Sequence, residues 1–90
     1  MKEYGLIHFK STHQALEAEI YLEDTDFQTK IIPTPGSVAQ GCGFSIRYPL
    51  SQEMAIHEFL SSIPMTHQGF YHIIENGYEK IYQRVDLKEG

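Results

Sequence analysis

Segments with a strand's alternation and segments with a helix's 3.6-residue period take turns along this chain, and turn-forming residues separate most of them. Leu6-Ile7-His8-Phe9 is short, apolar and rich in strand formers, and reads as a mostly buried first strand. Ser11 follows, with Gln14 three residues later, the spacing of a capping box. Ala15, Ala18 and Leu22 then recur at i, i+3 and i+7, with Leu16 and Ile20 beside them and Glu17, Glu19 and Glu23 at other positions. That pattern predicts an amphipathic helix over about 11–24, whose alanines allow close approach to a sheet.

Phe27 to Ile32 reads as a second strand, stopped by Pro33-Thr34-Pro35-Gly36, because proline fixes φ and lacks an N–H donor. A loop runs to Gly41-Cys42-Gly43. Phe44-Ser45-Ile46-Arg47-Tyr48 alternates apolar and polar residues, a third strand with one wet face, ended by Pro49. Ser51 is a good N-cap, with Glu53 in the first turn. Ala55, Phe59 and Ile63, with Ile56 and Leu60, mark a second helix that stops before Pro64. Phe70 to Ile74 reads as a fourth strand. Asn76-Gly77 is a hairpin signal, since both residues tolerate positive φ, and Tyr78 to Val85 is the returning strand, with a frayed tail as the alternative. The order β-α-β-β-α-β plus a strand predicts one α+β domain over 1–90: a ferredoxin-like βαββαβ sandwich with both helices on one sheet face and an added C-terminal hairpin strand.

Composition narrows the function classes. Seven Lys+Arg against twelve Asp+Glu give a net charge of −5, and the basic residues are spread from Lys2 to Lys88. Nucleic-acid binding rests on clustered cations, so no nucleic acid is expected. The acidic residues gather instead: Glu17, Glu19, Glu23, Asp24 and Asp26 form either a solvated helix face or a docking patch for a basic partner. No apolar run reaches the roughly 7–15 residues of a secretory signal or the ~18 of a membrane span, so a cytoplasmic protein without membrane contact is expected. One cysteine excludes an internal disulfide and a multi-cysteine zinc site, and a lone thiol suits a reducing compartment.

That cysteine, Cys42, has two readings. It is either a small buried hydrophobe or a reactive thiol. Gly41 and Gly43 around it permit unusual φ and close approach, and leave backbone N–H groups open to an anion such as a thiolate. Arg47 adds positive charge if Cys42 lies outside the regular strand. His13, in the first turn of helix one, is a conceivable partner or an ordinary exposed histidine. None of the five histidines shows a metal-ligand spacing, no phosphate-cradling glycine loop is present, and neither a metal nor a cofactor is implied. The tyrosines and phenylalanines read as core and sheet packing rather than base-stacking platforms.

Three segments taken in order carry a family resemblance. Phe9 followed by Ser11-Thr12-His13, Ala15-Leu16 and Ala18-Glu19, then Ile32-Pro33-Thr34-Pro35, then Cys42-Gly43-Phe44-Ser45-Ile46-Arg47-Tyr48 resemble the "Putative Se/S carrier protein-like" family of small bacterial domains, over about residues 5–74. The resemblance implies a carrier cysteine, here Cys42, that takes sulfur or selenium as a persulfide or selenosulfide from a donor enzyme and passes it to an acceptor. Such a carrier needs one accessible thiol and no resolving cysteine, and this chain has one cysteine. Two positions depart from the family pattern: Gly36 stands where a basic residue is common, and Gly41 where a serine often precedes the cysteine.

Two functions compete on this reading. One is a sulfur or selenium carrier with Cys42 as the loaded residue and Gly41, Gly43, Arg47 and His13 in support. The other is a non-catalytic interaction or small-ligand regulatory module with an inert cysteine, in which a homodimer is an allowed assembly. An enzyme with its own turnover finds no support in the residues.

Overall fold

The computed structural model describes residues 2–35, 43–64 and 69–85. Its elements are β1 (Lys2–His8), α1 (Thr12–Glu23), β2 (Lys30–Pro33), β3 (Phe44–Tyr48), a 3-10 turn (Leu50–Gln52), α2 (Glu53–Ser61), β4 (Gly69–Asn76) and β5 (Glu79–Val85). The class is α+β, as expected: five antiparallel strands and two helices. The sheet order is β2-β3-β1-β4-β5, which differs from a four-stranded sheet by β5 outside β4.

Local signals account for the first helix. Ser11 caps it by accepting from the Gln14 N–H at 3.2 Å, while the Gln14 side chain accepts from the Lys10 N–H at 3.2 Å, one residue before the box position. Ala15, Ala18 and Leu22 are the buried positions. Leu16 and Ile20 are instead exposed, at 45% and 65%.

Four expectations shift. Phe27 does not join β2: Thr25 Oγ1 accepts from the Phe27 N–H, and the ring packs edge-on against Phe59 at 6.0 Å. Ser51 is not the cap of α2, because residues 50–52 form the 3-10 turn and helix geometry begins at Glu53. Ala55 is exposed, and α2 buries Ile56, His57 and Leu60. In the hairpin Asn76 pairs with Glu79, so the two loop residues are Gly77 and Tyr78, and Gly77 takes the positive φ of 65°.

The helices cover one face of the sheet. Ile7, Ile46, Tyr48 and Phe70 from the strands meet Ala15, Ala18, Leu22, Ile56 and Leu60 in the main core. On the opposite face Tyr4, Leu6 and Ile73 form a smaller cluster, with Ile32, Tyr71 and Tyr82 packed on it. Gly5, on β1, pairs with Tyr48 on one side and His72 on the other. A Cβ built there would lie 2.0 Å from the Tyr48 ring. The missing side chain therefore makes room for that ring.

Candidate functional site

Three strand ends meet where the cysteine-bearing connection leaves the sheet. His8 and Ile32 both face Ser45, and Pro33 faces Phe44. The Thr34 N–H donates to the Gly43 carbonyl at 2.9 Å, and the Thr34 and Ser45 hydroxyls are 2.7 Å apart. Ser45 is fully buried. These bonds fix the base from which residues 35–42 depart. Cys42 and Gly41 themselves lie outside the described residues.

Gly43 is exposed, and a Cβ on it would touch nothing within 4 Å. It also lacks a positive φ. Neither close approach nor left-handed backbone therefore demands glycine at this position.

The two expected supports, His13 and Arg47, separate. α1 starts at the loop end of the sheet, so His13 in its first turn is near that end; its ring is 86% exposed, with Nε2 3.6 Å from Glu17 Oε2. Arg47 lies near the other end of β3, pairs with Leu6 and Lys30, and places its guanidinium 4.0 Å above the Tyr4 ring, on the face away from the helices.

A polar cluster on the helix side had no sequence signal as a unit. The Tyr48 hydroxyl donates to Glu53 Oε2 at 2.5 Å, and His72 Nε2 lies 2.6 Å from the same oxygen. The Glu53 side chain is 13% exposed. Burial, then the hydrogen bond to Glu53, pushes the Tyr48 phenol well above its ordinary value. A strand, a helix start and another strand are joined here, over the gap left by Gly5. An isolated glycine in a strand pattern, which Gly5 is, is the signal that could have pointed to a close approach here.

At the far end of the sheet from the loop, the starts of β1 and β2 and the end of β3 surround a cleft of about 390 Å³. Lys30, Arg47 and Tyr4 line it, with Glu3, Gln28 and Pro49. Tyr4 donates its hydroxyl to Glu75 at 2.9 Å, and burial, followed by that bond, raises its phenol to about 12. Among the described residues no group of three His, Cys, Asp or Glu could hold a metal ion, and no helix is long and apolar enough to cross a membrane.

The comparisons with known proteins agree with the motif order. The family model described as "Putative Se/S carrier protein-like" matches residues 4–72. An uncharacterized protein of the archaeon Methanocaldococcus jannaschii is 36% identical over 58 residues, which cover 64% of this chain. The matched region is 29% of that relative's length. No solved structure matches the chain at a significant level. With 4–72 matched, the chain belongs to the Putative Se/S carrier protein-like family.

Proposed function

We propose that this protein carries sulfur or selenium on Cys42 between a donor and an acceptor enzyme. The observation that carries the reading is family membership in a chain with a single cysteine. In the transfer the Cys42 thiolate attacks the outer sulfur or selenium of a donor persulfide or selenosulfide. The donor's inner bond breaks, its cysteine leaves as a thiolate, and a new bond to the Cys42 sulfur forms. An acceptor nucleophile then attacks the carried atom and Cys42 leaves as a thiolate, so no external oxidant or reductant enters. A chain without a second cysteine has no internal thiol to release the cargo early. The reading fits a reducing cytoplasm. The β2-β3-β1-β4 order beneath two helices supports a ferredoxin-like scaffold, with β5 as an addition. His13 is the support at the loop end.

Intact mass after incubation with a cysteine desulfurase and cysteine or selenocysteine tests this. A gain of one chalcogen atom, lost in Cys42→Ser, is expected; no gain in the native chain overturns it. A native Cys42 that alkylates only after denaturation overturns it as well.

One observation favours a second reading. On the outer side of α1, Leu16, Ile20 and Tyr21 are exposed at 45%, 65% and 37% amid Glu17, Glu19 and Glu23. We infer that this surface docks a basic, partly apolar partner protein. Charge reversal at Glu19 and Glu23 should weaken partner binding while Cys42→Ser leaves it unchanged. Unaltered binding after both reversals excludes it.

A further inference from the structure

Lys30 and Arg47 sit directly opposite each other across the β2–β3 ladder, so their side chains leave the same face of the sheet. Like charges at directly opposed positions destabilise a sheet. In a chain of twelve acidic and seven basic residues a compensating carboxylate is easily supplied. Yet among the described residues neither cation has a carboxylate within 4.0 Å; the described ion pairs are His13–Glu17, His72–Glu53 and Lys80–Glu75. Both cations line the cleft. Stacking on Tyr4 holds one guanidinium in place.

We propose that this cleft binds a small phosphorylated ligand of about mononucleotide size, with its phosphate between Lys30 and Arg47. A guanidinium fork matches phosphate oxygens in pairs, and an ammonium adds a point charge beside it. Bound phosphate relieves the repulsion between the two cations. A volume of about 390 Å³ exceeds what a bare anion fills and falls in the range of small-molecule sites. Pro49 adds an apolar wall, while Glu3 and Gln28 offer hydrogen-bonding groups for hydroxyl or amino substituents of the ligand. Lys30 and Arg47 lie toward the ends of β2 and β3 away from Pro33 and Phe44, the strand ends that the connection bearing Cys42 joins.

Titrate the intact chain with AMP, ribose 5-phosphate, inorganic phosphate and adenosine, following backbone amide shifts by NMR. The expected result is saturable shifts from AMP or ribose 5-phosphate at Lys30, Arg47 and their strand neighbours. Binding weakens with added salt and is lost for adenosine. Lys30→Gln and Arg47→Gln each lower affinity about tenfold or more, as loss of a charge-assisted bond implies. Cys42→Ser leaves it unchanged. Thermal melts of both variants verify that the fold persists, and Arg47→Lys, which keeps the charge, recovers part of the affinity. No shift from any phosphorylated probe at millimolar concentration overturns the proposal. So does adenosine binding as tightly as AMP, inorganic phosphate binding as tightly as both larger probes, or affinity that survives the Lys30→Gln/Arg47→Gln double substitution.

Discussion

The two faces of the sheet bury side chains by different means. The helix face is sealed by α1 and α2, and its one described polar cluster, Tyr48, Glu53 and His72, is stitched together over Gly5. Among the described residues no helix packs on the cluster of the opposite face, yet Leu6 and Ile73 are fully buried there. Tyrosines and long cations cover them: Arg47 over Tyr4, and Tyr71 and Tyr82 against the cluster. Long charged side chains can shield apolar surface while their heads stay wet. One face is therefore closed by helices, the other, among the described residues, by side chains.

That contrast can be broken most severely at Gly5. Gly5→Val should cost about 3 kcal/mol or more, because the Tyr48 ring must leave and its bond to Glu53 goes with it. Chemical denaturation measures it; a near-wild-type midpoint would mean the ring has room to move. Tyr48→Phe isolates the hydroxyl and should cost about 1–3 kcal/mol, since among the described residues Glu53 then keeps His72 alone as a side-chain partner.

Alkali sharpens the comparison, because each face holds a tyrosine whose phenol is raised. Tyr4 goes from an ordinary 10.0 to about 12, through burial first and Glu75 second. Above pH 10 the unfolded chain loses this proton while the folded chain keeps it. Stability from this group is complete below about pH 10 and declines as pH rises toward about 12. Tyr48 extends the decline further up. Melting temperature against pH should show a shallower fall in Tyr4→Phe than in the parent chain; parallel curves would contradict it.

The smallest effect is expected on the open face. Arg47→Gln should cost only about 0.5–1 kcal/mol, the scale of an exposed cation–ring contact. A loss as large as that of Tyr48→Phe would make the two faces equivalent.

Features legible in the residues were those set by near neighbours. Ser11 and Gln14 announced the start of α1, and alternation around Ile46 announced β3. The start of α2 was not legible, because the Gln52 side chain accepts from the Gln28 N–H at 2.8 Å, 24 residues away. The hairpin was expected correctly but one residue early, since Asn76 and Gly77 both suit a turn and only the pairing of Asn76 with Glu79 decides. Lys30 and Arg47 looked scattered in sequence and are face to face in the sheet. Tyr48, Glu53 and His72 come from three elements, so no spacing could join them. Cys42 was legible as the one thiol, whereas its surroundings depend on residues outside those described.

The placement of β1 between β3 and β4 also limits when the first ladders of the sheet can form. Among the described residues β1 pairs with β3 and β4, and β2 pairs with β3. A growing chain that has reached Pro35 therefore holds two strands with no ladder between them. Helix α1 is the one regular element it can complete, and at 12 residues that is marginal alone. The β4–β5 hairpin, in contrast, closes on a two-residue loop as soon as it is made. No ladder of the sheet can therefore form before β3 is made, and removing β4 and β5 would cost β1 one of its two neighbours.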